Sequence, residues 1–203
     1  MQPYKFEVFS LDHIVSIIVI LFLFIIFLGY NDKIGIKDDS KTFLIVLSVL
    51  MIFLDLSEDL VRIFTGYYSI TKDLPLQLCS IGVYLAAFNL MYRNQTIFNL
   101  IFYWGFVGAT NAILTPDGDL FELRIFFFYS QGYHAALIFA VLWMMIKYDM
   151  RMDYRSILQV VIYTNVIVGL ITIVNYILDS NYMFLRVMPV SYTHLRAHET
   201  IAD

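Results

Sequence analysis

The sequence predicts an all-α, polytopic transmembrane helix bundle, and three observations predict it. Of its 203 residues, 60% are hydrophobic and only 15% charged, with a mean hydropathy of +0.74. Ordinary soluble domains are about 45–50% apolar and roughly 25% charged, so that class is excluded. The apolar residues fall into six runs near the ~20 residues one helix needs to cross a bilayer core. The runs are separated by short polar stretches, which makes consecutive helices antiparallel neighbours in one compact domain, residues 1–189.

The first run, Leu11–Tyr30, is flanked by Asp12 and by Asn31-Asp32-Lys33 without a small-x-small cleavage site, so it reads as a retained span rather than a signal peptide. The second, Thr42–Tyr67, carries Asp55, Glu58, Asp59 and Arg62. Asp55, Asp59 and Arg62 are spaced i, i+4, i+7 and share a helix face, and Glu58 with Arg62 forms a second i, i+4 pair. Carboxylates around an intramembrane arginine neutralise one another, as a staple of the bundle or as an anchor for a lipid headgroup. The third run, Pro75–Tyr92, opens with a proline, which a helix tolerates in its first turn, so Cys79 is expected about one turn inside. Thr96–Thr115 is the fourth run and ends at Pro116-Asp117-Gly118-Asp119. The fifth, Phe121–Tyr148, contains His134, and the sixth is Ser156–Leu178.

Basic residues set an expected orientation. Seven (Lys33, Lys37, Lys41, Arg93, Lys147, Arg151, Arg155) lie in the first, third and fifth loops, against four (Lys5, Lys72, Arg124, Arg186) on the other side, which puts the N-terminus outside a multi-pass protein of the cell membrane. The net charge of −4 is small and scattered, so no nucleic-acid partner is indicated. Residues 190–203 change character abruptly, and Val190–Thr200 resembles the translation of a sequencing adapter. On that reading the tail is not native and a seventh span has been lost. His194 and His198 at i, i+4 are a weak zinc signal without a third ligand, so no metal is expected. Nothing resembles a phosphate loop, a haem site or a dinucleotide fingerprint, and no cofactor is expected.

With the orientation set, Asp12, His13, Asp55, Glu58, Asp59, Arg62, Cys79, Asn111, Thr115, His134 and Asn175 all fall in the outer half of the membrane, and the inner half is almost uniformly apolar. That asymmetry predicts one polar cavity opening outward or sideways, with Gly82, Ala86, Gly105, Gly108 and Gly132 allowing close helix approach around it. Cys79 is the only cysteine, so its role is chemical or packing rather than disulfide formation. A thiol and an imidazole are the minimum equipment for covalent acyl transfer. The bland alternatives are a buried thiol acting as a small hydrophobe and a histidine hydrogen-bonded to Ser130 or Asp59. A different class of function, a solute or proton pathway through Asp55, Asp59, Arg62 and His134, would need polar groups at both depths. A non-catalytic membrane subunit stays open as well.

Leu74-Pro75-Leu76-Gln77-Leu78-Cys79-Ser80, Trp104-Gly105-Phe106-Val107-Gly108-Ala109 leading to Leu114-Thr115-Pro116-Asp117, Tyr133-His134, and Asn181-Tyr182-Met183-Phe184-Leu185 together resemble the YwaF family of bacterial membrane proteins. The similarity covers about Phe9 to Leu185. An animal relative of that family, transmembrane protein 164, is described as an acyltransferase that loads a fatty acyl chain onto a lyso ether phosphatidylethanolamine with a cysteine and a histidine. More distant relatives are hydrolases of lipid esters. The resemblance implies a phospholipid acyltransferase or lipid hydrolase that works through an acyl thioester. Cys79 would be the nucleophile and His134 the acid/base. A phospholipid acyl donor and a lysolipid acceptor would be the partners. Asn111, Gln77 or the amides near Pro75 are candidates for oxyanion binding, and Asp55, Glu58, Asp59 and Arg62 for the cavity or headgroup.

Overall fold

The computed structural model describes residues 6–29, 40–116 and 121–187. Six helices follow in the expected order: α1 (Leu11–Gly29), α2 (Lys41–Thr65), α3 (Leu78–Tyr92), α4 (Gln95–Leu114), α5 (Arg124–Lys147) and α6 (Ile157–Leu178). No strand is present among the described residues. Four of these, α1, α4, α5 and α6 with its short lead-in from Tyr154, are long and apolar enough to cross a membrane. Helix α2 has the length, at 25 residues, but concentrates its charges in its second half. Helix α3 has 15 residues and rises only about 22 Å, less than the ~30 Å of a bilayer core. The adapter-like tail, its two histidines and any seventh span lie outside the described residues.

Each turn has a local cause. Ser40 accepts the Phe43 N–H at the start of α2, and Gly66 ends that helix in the left-handed region at φ 77°. Between α3 and α4, Asn94 accepts the Ile97 N–H. The buried Asn89 accepts the Asn94 N–H at 2.7 Å, and Gln95 bonds both Asn99 and the Arg151 carbonyl. Asn89 and Asn99 therefore depart from the expected dry half of the bundle. They hold together chain ends that would otherwise leave backbone groups unpaired.

Helix α3 begins at Leu78, three residues later than Pro75, which lies outside the helix in a bent segment. The reason is tertiary. The Tyr182 hydroxyl accepts the Leu74 N–H at 3.0 Å and lies 2.6 Å from the Ile70 carbonyl, to which it donates. The Gln77 side-chain oxygen accepts the Met183 N–H at 3.0 Å. Asn175 holds the same segment from α6, accepting the Tyr182 N–H at 2.7 Å and donating to the Tyr182 carbonyl at 2.9 Å. Residues 180–187 thus clamp 70–77 in an irregular path, and Asn175 is a bracket for this clamp.

The core lies among α2, α3, α4 and α5, where Met51, Val83, Ala86, Leu90, Phe98, Ile101, Leu137, Val141, Trp143 and Met144 are buried. Helix α6 docks on α4 through Val160, Leu100 and Trp104, with the Trp104 indole donating to Thr164 at 3.0 Å. Helix α1 packs on α5 and is tied to α4 by the bond from His13 to the Ile113 carbonyl. Chain direction defines an N-terminal end of the bundle, holding residues 6–13, 62–78, 113–116, 121–124 and 178–187, and an opposite end at 40–44, 89–97 and 145–157.

Candidate functional site

Helix α4 changes from α to π geometry over Phe102–Val107 and returns to α at Gly108. Such bulges recur at functional sites because they leave backbone groups to be satisfied from outside the ladder. Here the Cys79 thiol faces the Trp104 carbonyl at 3.8 Å.

The glycines fix how α3, α4 and α5 meet. A methyl group at Gly105 would lie 3.0 Å from Leu137 Cγ, and one at Gly82 would lie 3.4 Å from Leu137 Cδ2 and 3.9 Å from the Gly105 nitrogen. Gly82, Gly105 and Leu137 therefore form one layer, in which a Cβ at Gly105 would require Leu137 to shift and one at Gly82 would be in ordinary contact with it. One turn nearer the N-terminal end, the same helices carry Cys79 (three residues before Gly82), Gly108 (three after Gly105) and His134 (three before Leu137). A rise of about 4.5 Å separates these layers on every helix, α4 running antiparallel to the other two. A methyl group on Gly108 would stand 3.5 Å from Cys79 Sγ, in accord with this register. By this register Cys79 and His134 lie at the same height on α3 and α5.

His134 is buried, and its Nδ1 lies 2.8 Å from the Ser130 carbonyl one turn back in α5. A carbonyl only accepts, so Nδ1 carries the proton and Nε2 presents its lone pair. The other buried histidine is the opposite case. His13 Nδ1 accepts the Phe9 N–H at 3.0 Å, so its Nε2 donates to the Ile113 carbonyl at 2.7 Å and both nitrogens are engaged. No described protein group takes up His134 Nε2. The Tyr133 ring packs on the imidazole, and its phenol stands within electrostatic range of Glu58, Cys79 and Asp55.

The remaining predicted residues divide into two groups. Asp55 turns towards α3, where the Tyr84 hydroxyl donates to it at 2.8 Å. Glu58 and Arg62 lie apart, at the N-terminal end. Arg62 donates to Glu58 through Nε and Nη2 at 3.1 and 3.0 Å and to Glu122 at 2.8 Å, with Asp73 at 3.6 Å and the Phe126 ring 4.1 Å below the guanidinium. Its donors are committed to protein carboxylates, which is the staple arrangement. Asp59 is partly exposed beside this cluster. Asn111 is exposed, and Gln77 belongs to the clamp on Met183.

Sequence reasoning passed over Asp73 and Glu122 as partners of Arg62, and Tyr182 as the centre of the clamp. The signal for the first two was an excess of carboxylates at one end of the bundle; a loop tyrosine carries no comparable signal. Burial raises the Tyr182 phenol above its ordinary value, so it remains a neutral donor.

A cavity of about 680 Å³ opens between α1, α2 and α5, beside the Cys79–His134 layer. Its walls are apolar, and Asp55, Glu58, Asp59, Arg62, Cys79 and His134 are not among the residues that line it. Among the described residues no group of three or more His, Cys, Asp or Glu side chains could hold a metal ion.

A family model, described as the TMEM164 family, matches residues 8–199 of the chain. No curated protein and no solved structure matches it.

Proposed function

The chain belongs to the TMEM164 family, and from that premise we propose that it is a membrane-embedded phospholipid acyltransferase or lipid hydrolase using Cys79 and His134. What supports the reading is the helix register, which sets the thiol of Cys79 and the buried imidazole of His134, in a defined tautomer, at the same height on α3 and α5, with Gly108 of α4 against the thiol. The pairing with a multi-pass membrane protein makes lipid esters the substrate class, a phospholipid the acyl donor and a lysolipid the acceptor. The cell membrane, with the N-terminus outside, is the setting that the basic loops favour.

In the forward step Cys79 Sγ attacks the ester carbonyl as its proton passes to His134 Nε2. The C–S bond forms, the C–O bond breaks, and the imidazolium returns the proton to the departing lysolipid oxygen. In the second step an acceptor hydroxyl, or water, gives its proton to Nε2 and attacks the thioester, releasing the new ester or the free acid and restoring the thiol. Cys79 is the second residue of α3, and the first-turn amides of Leu78, Cys79 and Ser80 have no partner within the helix. They are the donors available to a carbonyl oxygen gaining negative charge. Ser130 holds the imidazole in the tautomer this chemistry needs, and Asp55 braces α3 through Tyr84.

The test is intact mass spectrometry of the full chain after incubation with phospholipid vesicles. Wild type gains a hydroxylamine-labile acyl adduct that Cys79→Ala and His134→Ala both lose, and lipid turnover in His134→Ala falls by about 10²–10⁴. Unchanged turnover in both variants, with no adduct in wild type, overturns the proposal.

A further inference from the structure

At the start of α3 the structure departs from the local preference of the chain. Leu74-Pro75-Leu76-Gln77 favours a helix that opens at Pro75, because proline suits the first helical position and leucine and glutamine are good helix formers. The helix opens instead at Leu78, with Gln77 extended at φ −75°, ψ 147°. Conflicts between local preference and tertiary structure concentrate at functional or strained sites.

This one has a chemical consequence. In a helix opened at Pro75, the N–H groups of Leu78, Cys79 and Ser80 would bond the carbonyls of Leu74, Pro75 and Leu76. Opened at Leu78, the helix has no internal acceptor for those three amides, and its first bond runs from the Ile81 N–H to the Gln77 carbonyl at 3.0 Å. One turn therefore decides whether the backbone around the Cys79 thiol presents free donors or bonded ones.

Two side chains hold the shorter form. The Tyr182 hydroxyl takes up the Leu74 N–H and the Ile70 carbonyl, which fixes the chain just before Pro75. The Gln77 side-chain oxygen takes up the Met183 N–H, tying the extended Gln77 to residues 180–187. That segment is itself held against preference. Met183 and Phe184 have φ 56° and 53°, left-handed angles that residues other than glycine keep only where their surroundings impose them. Both sides of the clamp are thus constrained at one place, the opening of α3.

We infer that Tyr182 and Gln77 are positioning residues of the acyl-transfer site: they keep α3 one turn short, so that the amides of Leu78, Cys79 and Ser80 stay available to a carbonyl oxygen gaining charge beside Cys79 Sγ. The chemistry of this inference rests on the acyl-transfer reading, and its geometry on the clamp alone.

Tyr182→Phe keeps the ring and removes both hydroxyl bonds; Gln77→Leu removes the acceptor and Gln77→Glu retains one. Hydrogen exchange of the full chain in detergent, resolved to single amides by electron-transfer fragmentation, reads the helix start. Intact mass after incubation with phospholipid vesicles reads the acyl adduct. In Tyr182→Phe and Gln77→Leu, the amides of Leu78, Cys79 and Ser80 exchange about tenfold more slowly, because an added turn protects them. The adduct forms about ten- to a hundredfold more slowly, because oxyanion donors are lost. Gln77→Glu matches wild type in both. A contact that only stabilised the fold would speed exchange when removed. Leu78→Pro fixes the start of α3, since proline suits the first helical position and keeps the preceding residue extended, and in that background Tyr182→Phe no longer slows the adduct. Exchange that is unchanged or faster in Tyr182→Phe overturns the inference whether or not the chain acylates. Slower exchange with undiminished adduct formation overturns the positioning role. No adduct in wild type overturns the acyl-transfer reading and the positioning role with it, and exchange then still decides whether the clamp sets the start of α3.

Discussion

The four inner helices and the two flanking ones obey opposite rules. Helices α1 and α6 are the most apolar of the candidate spans, yet only 6% and 11% of their central windows are buried, against 44% and 50% for the less apolar α4 and α5. In water that order would be reversed. In a bilayer the lipid tails solvate Ile and Leu as well as a protein interior does, so apolarity gives no reason to pack. What draws α2, α3, α4 and α5 together is small residues that let backbones approach, and polar groups that must find partners. The Gly82–Gly105–Leu137 layer and the Arg62 cluster are the clearest cases.

The comparison breaks most readily at Arg62. Arg62→Ala leaves Glu58, Asp73 and Glu122 without their shared cation at 7% side-chain exposure, and a loss of about 3–5 kcal/mol is expected. Chemical unfolding in detergent measures it, and Glu58→Gln with Glu122→Gln in the Arg62→Ala background recovers part. A loss below about 1 kcal/mol, the scale of an exposed ion pair, would mean that the cluster is solvated and holds nothing.

Gly105→Val comes next. Its new side chain meets Leu137 at 3.0 Å, and overpacking of this kind costs about 1–3 kcal/mol. Gly169→Val on α6, where nothing lies within 4 Å, is the matched control and leaves stability within about 0.5 kcal/mol. Equal effects at the two glycines would refute packing by close approach.

The smallest effects belong to the flanking helices. Ile18→Ala and Ile173→Ala delete large apolar groups from residues 59% and 56% exposed, and each is expected to change stability by less than about 0.5 kcal/mol. Leu137→Ala, the buried counterpart, costs about 2–5 kcal/mol. Similar losses at Ile18 and Leu137 would show that the outward face of α1 is packed rather than exposed.

The same physics decides what could be read in advance. The class of protein and the helix order were legible in the chain, set by apolar run length, and the runs from Thr42 to Tyr67 and from Thr96 come within a residue or two of the ends that Ser40, Gly66 and Asn94 fix. So was the singularity of Cys79 and His134, since a thiol and an imidazole inside apolar runs are conspicuous whatever surrounds them. The opening of α3 at Leu78 instead of Pro75 was not legible, because Tyr182 lies more than a hundred residues away and its two hydrogen bonds outweigh a favourable local start. Nor was the assignment of Arg62. Spacing pairs it with Glu58, but Asp73 and Glu122 reach it only through the path of two loops. The tautomer of His134 is local, set by the Ser130 carbonyl one turn back in α5, whereas the burial of Gln131 without a partner among the described residues is decided by tertiary packing. Periodicity and composition report what each segment needs to be solvated by; which group supplies it is decided when the helices meet.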